Sequence, residues 1–400
     1  MRFAVVLFLG WLVASPALGF TSSRNEVADA FLRAHVGSGS EDVTVGSLEV
    51  DGATVRLTGV EITAPTAVKR YERVEIMGGR VEDGVLLAER ITFGPQRTSF
   101  EDPTEGGPST EVITIEADEW TGVRLPEATL SENADPVAAL LVAERIVSTD
   151  VAFRVPGAFD LSVASSTLTA SERELDAAIG LTVEMDGMRL SLPQDVPAVE
   201  ENVFSASSTF RWEAPTGRLE IASLNLAADR FGSVGLSGSV AGLTSEFFAA
   251  LEAIGKATPP VVTELDRAIA GLTVEDARLA LNDEGMVDAL LSLAGTGMGL
   301  DATSAAHLAV GSLQGALLAV GDEAFAARAA AAARAFLLGE AARLTVRLTP
   351  PEPITLETIG TTARMAPQTL EQVLGLEVTA GGGPASTPAP GGEGAGGTPR

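Results

Sequence analysis

Residues Ile179 to Leu192 constrain this chain more than any other stretch: I-G-L-T-V-E-M, then Asp186-Gly187, then M-R-L-S-L. Ile179, Leu181, Val183 and Met185 alternate with small or polar residues, and Met188, Leu190 and Leu192 resume the alternation, a period of two that defines β-structure. Asp-Gly supplies the φ > 0 positions of a type I′ turn, so the spacing predicts a hairpin pairing 185 with 188, 183 with 190 and 181 with 192. In that register all the large apolar side chains fall on one face. A face carrying Leu181, Val183, Met185, Met188 and Leu190 has to be covered by a second sheet, a helix or a ligand, and these five are the candidate ligand-face residues.

Other stretches repeat the theme. Leu48, Val50, Asp51-Gly52, Ala53, Val55 and Leu57 predict a second hairpin, with 50 opposite 53, and Val81-Glu82-Asp83-Gly84-Val85-Leu86 repeats the turn. Further strands are expected at Val74–Ile76, Ile113–Ala117, Leu161–Val163, Phe204–Trp212, Val234–Val240, Leu272–Leu281 and Leu344–Leu348. Ala214-Pro215-Thr216-Gly217 suits a turn. Leu219 and Ile221 then occupy odd positions but Leu224 and Leu226 even ones, which calls for a bulge near Ala222-Ser223. Ala88-Glu89-Arg90-Ile91 recurs as Ala143-Glu144-Arg145-Ile146 and is echoed by Glu72-Arg73-Val74, at spacings too irregular for a solenoid.

Helical spacing is confined mainly to the two ends of the chain. A short helix from Arg24 to about His35, capped by Ser22 or Ser23, puts Val27, Phe31 and Ala34 on one side. Pro136 to Val147 has the spacing of another. From Ser245 the pattern turns helical, with segments at 246–254, 259–269, 286–295, 302–320 and 323–338, the last between Asp322 as N-cap and Gly339 beyond its end. In that helix Phe325, Ala329, Ala332 and Phe336 share a side, as expected of packing into a helical layer.

Met1-Arg2, the apolar run Phe3 to Val13 and Ala17-Leu18-Gly19 have the form of a signal peptide cleaved between Gly19 and Phe20. The expected location is therefore periplasmic or secreted, with no transmembrane span in the mature chain. The absence of cysteine excludes disulfides and thiol chemistry. A net charge of −27 argues against nucleic acid or an anionic membrane surface as partner. The division expected is a leader over 1–19, a β-rich domain with a short N-terminal helix over 20–243, a helical segment with returning strands over 244–380, and a disordered Gly/Pro-rich tail over 381–400.

The inventory for catalysis is thin. The only histidines are His35, read as a surface helix end, and His307, read as a helix face, and no HExxH, G-x-S-x-G, S-x-x-K or Walker pattern supports them. Gly295-Thr296-Gly297-Met298-Gly299 follows a helix and reads as a flexible connector. Acidic pairs such as Glu101-Asp102, Asp118-Glu119 and Asp283-Glu284 lack calcium-loop spacing and are ordinary for a chain with 54 carboxylates. No catalytic, cofactor-binding or metal-binding residue is assigned. Gly311-Ser312-Leu313-Gln314-Gly315 has small-xxx-small spacing, which permits close helix contact.

Phe231-Gly232-Ser233-Val234-Gly235-Leu236-Ser237-Gly238 forms a strand of small residues. It is followed by Leu279 to Leu291, the Ala-rich helix ending at Gly339, Leu344 to Leu348 and Pro350-Pro351-Glu352-Pro353-Ile354. Together these resemble exported β-rich envelope proteins of Gram-negative bacteria, AsmA-like in style, over the second half of the mature chain. The resemblance implies a curled antiparallel sheet with an apolar inner face, as in envelope proteins that bind or bridge lipids. It transfers no functional residue, and it departs in having no N-terminal anchor.

The expectation is thus an α+β protein, mainly antiparallel β, with a long curled meandering sheet and a C-terminal α-helical layer. The expected role is non-enzymatic, binding lipid or acyl chains on an apolar sheet face in the envelope. The alternative is a structural or protein-interaction module without a small-molecule ligand; a hydrolase built on carboxylates alone comes last.

Overall fold

The computed structural model describes residues 22–36, 42–64, 67–100, 112–127, 129–130, 141–155, 158–174, 176–192, 202–244, 246–248, 269–319 and 321–382. The expected leader, the loop over 101–111, the start of the 136–147 helix, most of the helices over 246–254 and 259–269, and the tail beyond 382 lie outside them. The fold is mostly antiparallel β. The chain divides into two compact units, Met1–Leu226 with Leu243–Phe248, and Ala227–Gly242 with Ala249–Arg400.

Unit 1 opens with helix α1 (Glu26–His35) and continues through β1 (Asp42–Asp51), β2 (Thr54–Thr63), β3 (Ala67–Met77), β4 (Arg80–Glu82), β5 (Val85–Phe93), β6 (Gln96–Phe100), β7 (Val112–Leu125), β8 (Arg145–Val155), β9 (Phe159–Glu174), β10 (Ala178–Ser191), β11 (Phe204–Glu213) and β12 (Arg218–Ala228). Pairing runs β1–β2–β3, then through β5 and β6, which share β3 and β7 as neighbours, then β7–β8–β9–β10–β11. The meander follows from short turns. Asp83 and Gly84 both have φ > 0 (50° and 79°) between Glu82 and Val85, as a type I′ loop requires. At Asp51-Gly52 the hairpin forms, but Val50 pairs with Val55 and Leu48 with Leu57, so the loop is Gly52-Ala53. The slip from the expected register is two residues, which leaves every side chain on its expected face.

The opening stretch turns out differently. Ala178–Ser191 is one continuous strand, β10, bonded along its length to β9 on one side and β11 on the other. Of the dipeptide only Gly187 has φ > 0, at 64°, and the register against β11 shifts between Met185 and Met188. This is a glycine bulge, not a turn. One extra residue switches the parity of the alternation just as a two-residue hairpin would, so Leu181, Val183 and Met188 are buried while Glu184, Asp186 and Arg189 are exposed. The apolar face was read correctly from the wrong topology.

Parity switches recur in the neighbouring strands and explain the sequence echo. Buried pairs flank an exposed or half-buried dipeptide in β2 (Val55, Leu57, then Val60, Ile62), β5 (Leu86, Ala88, then Ile91, Phe93) and β7 (Asp118, Trp120, then Val123, Leu125). The dipeptides are Thr58-Gly59, Glu89-Arg90 and Thr121-Gly122, and Glu72-Arg73 serves β3. Thr58 pairs with Arg73, and Thr121 pairs with both Arg90 and Arg145. Every Glu-Arg of the echo therefore stands beside a Thr-Gly on an adjacent strand, and bends in neighbouring strands line up. Because partners bend together, the register on either side runs on unbroken, Val45 with Val60 and Ser47 with Thr58.

Helix α1 seals one end of this face. Asn25, rather than Ser22 or Ser23, accepts the capping bond from the Ala28 amide at 2.9 Å; both serines instead bond Asp29. Phe31, Leu32 and Ala28 are fully buried against Leu57, Val74, Ile76, Leu86 and Ile91. Two other expectations fail. Arg145–Val147 belongs to β8 rather than to a helix ending at Val147. Leu224 and Leu226 are exposed, so they do not rejoin the half-buried face of Leu219 and Ile221.

Unit 2 contains β13 (Gly232–Ala241), β14 (Thr273–Asp283), α2 (Met286–Met298), α3 (Ala302–Leu317), α4 (Glu323–Leu337), β15 (Arg343–Leu348), β16 (Ile354–Thr355), α5 (Leu356–Met365), α6 (Leu370–Leu374) and β17 (Leu376–Gly381). Strands pair in the order β13–β14–β15–β17, aligning Leu236, Leu279, Val346 and Val378 in one row and Val234, Leu281, Leu344 and Ala380 in the next. Helix α4 lies on β15 and β17 and buries Phe325, Ala329, Ala333 and Phe336, with Ala333 in place of the expected Ala332. Its N-cap is Asp322, which accepts from the Phe325 amide at 2.6 Å, and Gly339 follows with φ 71°. Residues Gly295 to Met298, expected to be a connector, are the last turn of α2.

Gly375 closes α6 with φ 53°, and a Cβ built there would stand 2.0 Å from the Thr349 carbonyl oxygen. Gly339 has a similar φ and open space around it. The left-handed conformation alone costs an L-residue roughly 1–2 kcal/mol. Gly339→Ala is therefore expected to lose about that, and Gly375→Ala at least twice as much, because backbone must move; urea denaturation of the two variants measures the difference.

Candidate functional site

Two constellations in unit 1 combine apolar surface with placed polar groups. The first is buried beneath α1. His35 is not at the surface: it is buried, its Nδ1–H donates to the Phe31 carbonyl at 3.1 Å, and its Nε2 accepts from the Tyr71 hydroxyl at 3.2 Å. The tautomer follows because a carbonyl oxygen only accepts. Phe93 stacks at a tilt on Tyr71 (5.3 Å between centroids) and on Trp120 (4.9 Å). Asp118, one of the acidic pairs passed over as ordinary, is buried and accepts from Trp120 Nε1 (2.9 Å), Ser148 Oγ (3.0 Å) and Gln96 Nε2 (3.4 Å). Lys69, one of two lysines in the chain, holds its ammonium 5.3 Å from the Tyr71 ring centroid.

Burial sets the protonation of this group. It pushes the Asp118 carboxyl up to about 6 against the opposing pull of its three hydrogen bonds and the Lys69 charge. It pushes the Lys69 ammonium down to about 8, opposed by Asp118, and the His35 imidazole down to about 3, helped by the Lys69 charge. The imidazole is neutral, and the Lys69 and Asp118 charges oppose each other's shifts; no metal-holding group of carboxylates and histidines occurs among the described residues.

Its pH dependence follows. Between about pH 8 and 10.5 the unfolded chain protonates Lys69 more fully than the folded one, so stability rises with pH in that window. On the acid side, His35 contributes a loss as pH falls below 6.5 and Asp118 a gain as it falls through about 6, in opposition. The expected result is a higher urea midpoint at pH 9.5 than at pH 7.5, on the order of 1–2 kcal/mol. Lys69→Met should abolish that gain.

The second constellation is the apolar face of β8 to β11. Cross-strand neighbours align Ile146, Leu168 and Val183 in one row and Ala170, Leu181 and Phe210 in the next, with Ile179 opposite Trp212. Leu181 and Val183 are buried in a small cluster with Leu141, Leu168, Ala170 and Ile179. Met185, Phe210 and Trp212 are only partly covered. Trp212 is fixed by a bond from Nε1 to the Leu243 carbonyl (2.9 Å) and an edge contact with Phe248. Past the bulge, Met188 is buried and Leu190 is half-buried. The five residues expected to share a face do so, split between a closed upper part and a more open lower one.

At the lower end Phe153, Leu161 and Leu190 are successive cross-strand partners and so continue this face, and a cleft of 360 Å³ lies against the same stretch of the three strands. Arg154, bonded to Asp160 at 3.2 Å, and Arg189 also line it, from the positions between, which belong to the opposite face of the sheet. Sequence reasoning found Leu190 but missed Phe153, Leu161 and Arg189. Arg189 lies on the strand already singled out; Phe153 and Leu161 are brought in by long-range strand pairing.

A family model described only as an uncharacterized protein matches residues 225–381, less than half of the chain. No curated protein matches it. Among solved structures, it is similar to LptH, the LptA-homologous periplasmic component of the lipopolysaccharide transport device of Pseudomonas aeruginosa. The identity is 11%, over 32% of this chain and 73% of that one, with a TM-score of 0.18, too low for the likeness to bear on function. No helix among the described residues is long and apolar enough to cross a membrane.

Proposed function

We propose that this is a non-enzymatic protein of the cell envelope that holds a lipid or acyl chain on the apolar face of β8 to β11. The observation that carries the reading is the gradient of cover along one face. Helix α1 closes the face over β2 to β7, whereas Met185, Phe210, Trp212 and Leu190 remain partly exposed, and Leu190 continues the face through its cross-strand neighbours Leu161 and Phe153. An acyl chain gains about 0.8 kcal/mol for each methylene it buries there. The expected cleaved leader accords with an envelope location.

Titration with a fluorescent fatty acid tests the proposal. Saturable binding is expected, with loss of roughly tenfold or more in affinity for Leu161→Asp/Leu190→Asp, whose carboxylates lie where the chain would run. Binding unaffected by the double substitution would refute the placement. A second reading, a structural module with no ligand, draws on α1 and α4 as built-in covers of their sheets; complete absence of saturable binding would select it.

A further inference from the structure

We propose that Lys69 anchors the head of the acyl ligand, so that the protein takes a long-chain fatty acid as its carboxylate; this rests on the acyl site proposed above. Lys69 stands on β3 two residues from Tyr71, whose hydroxyl meets His35 of α1, and its ammonium lies 5.3 Å from the Tyr71 ring centroid, so it shares the face that α1 covers. Its cross-strand neighbours continue in one line: Thr98 on β6, Ile113 on β7, Phe153 on β8, Leu161 on β9 and Leu190 on β10. All six are half-buried. In the adjacent line Tyr71, Gln96, Ile115 and Val163 are buried, so the line of Lys69 marks where the cover of the core ends. It is itself ordered as an amphiphile is, with a cation at one end, a hydroxyl next, and four apolar side chains leading to the cleft beside Leu190. Five strand spacings make it roughly 24 Å long, enough for an acyl chain, which spans about half of the ~30 Å hydrocarbon core.

The charges around Lys69 select the head. Burial pushes its ammonium down to about 8 and the charge of Asp118 opposes that shift only in part, so an added anion relieves a cation that is poorly solvated. Asp118 itself already accepts from Trp120, Ser148 and Gln96. His35 is neutral and burial keeps the Tyr71 phenol protonated, so neither adds a competing charge. An ammonium has three donors, so a carboxylate joins the contacts that Lys69 makes rather than displacing them. Away from bulk water such a charge-assisted bond is strong. A line one residue wide takes one chain, which selects a fatty acid over a two-chain phospholipid.

The test titrates the full-length protein at pH 7.5 with a fluorescent fatty acid and with the alcohol of the same chain. The acid should bind roughly tenfold or more tighter than the alcohol. That comparison is made on the wild-type protein and does not depend on any variant folding. Lys69→Met, with its melting temperature recorded to show that it is folded, should bind the acid as weakly as the alcohol and leave the alcohol's affinity unchanged. Excess phosphatidic acid should fail to displace the fatty acid. Equal binding of acid and alcohol by the wild type, a preference retained by folded Lys69→Met, or displacement by phosphatidic acid would each overturn the proposal and leave the acyl site standing. Binding of neither probe would overturn the acyl site, and this assignment with it.

Discussion

Asp118→Ala is expected to destabilise unit 1 by about 3–5 kcal/mol, measured by urea denaturation followed by tryptophan fluorescence. The carboxylate is the common acceptor for Trp120, Ser148 and Gln96 and the countercharge of Lys69. Removing it leaves donors and an ammonium in a site from which water is excluded, and each unsatisfied buried group costs about 1–3 kcal/mol. Asp118→Asn keeps an acceptor oxygen and should lose less. Lys69→Met should be milder still, because Asp118, already raised to about 6, can take a proton. A loss in Asp118→Ala no larger than in Lys69→Met would show that the hydrogen bonds, not the charge, are incidental.

Phe31→Ala is expected to cost a similar 3–5 kcal/mol, with an added increase in the binding of an apolar dye. Phe31 is fully buried between His35 (4.7 Å) and Phe93 (6.1 Å). Helix α1 has 10 residues, fewer than the ~12–15 that an isolated helix needs, so packing alone holds it on the sheet. Losing its largest anchor loosens the helix and bares the face over Leu57, Ile76 and Ile91. Dye binding should therefore rise before the main unfolding transition; a single transition with no extra dye would mean that α1 and the sheet unfold as one.

How far the fold was legible in the sequence depends on what each signal measures. Alternation reports which face a residue takes, and it assigns Leu181, Val183, Met185, Met188 and Leu190 to one face. It does not report whether a parity switch at Asp186-Gly187 is a turn or a bulge, because both invert the alternation and both use a glycine with φ > 0. The decision rests with β9, which pairs with β10 from Ala178 to Ser191, and with β11, which pairs with it across the bulge as far as Met188. Asp83-Gly84 differs in that both of its residues take φ > 0 and only three residues precede it in β4, so a turn is the sole outcome.

The Glu-Arg echo was visible but its meaning was not, since its partner motif, Thr-Gly, lies on adjacent strands rather than at a fixed sequence interval. His35 and Asp118 were misjudged for a related reason. A helix end and an acidic pair are ordinarily solvated, and only tertiary packing under α1 takes these two away from water. The lower cleft depends on strand pairing that brings Phe153 and Leu161 to Leu190, which no local pattern encodes. Leu224 and Leu226 show the converse: a bulge was invoked to bury leucines that the fold leaves outside.

We propose that the face of β8 to β11 is a ligand face rather than unfinished core. The direct measurement is extraction of the folded, full-length protein followed by mass spectrometry of what it carries. An acyl lipid should be recovered reproducibly from the folded protein and be lost from Leu161→Asp/Leu190→Asp. Repeated recovery of folded protein free of lipid, or lipid retained by the cleft variant, would contradict it.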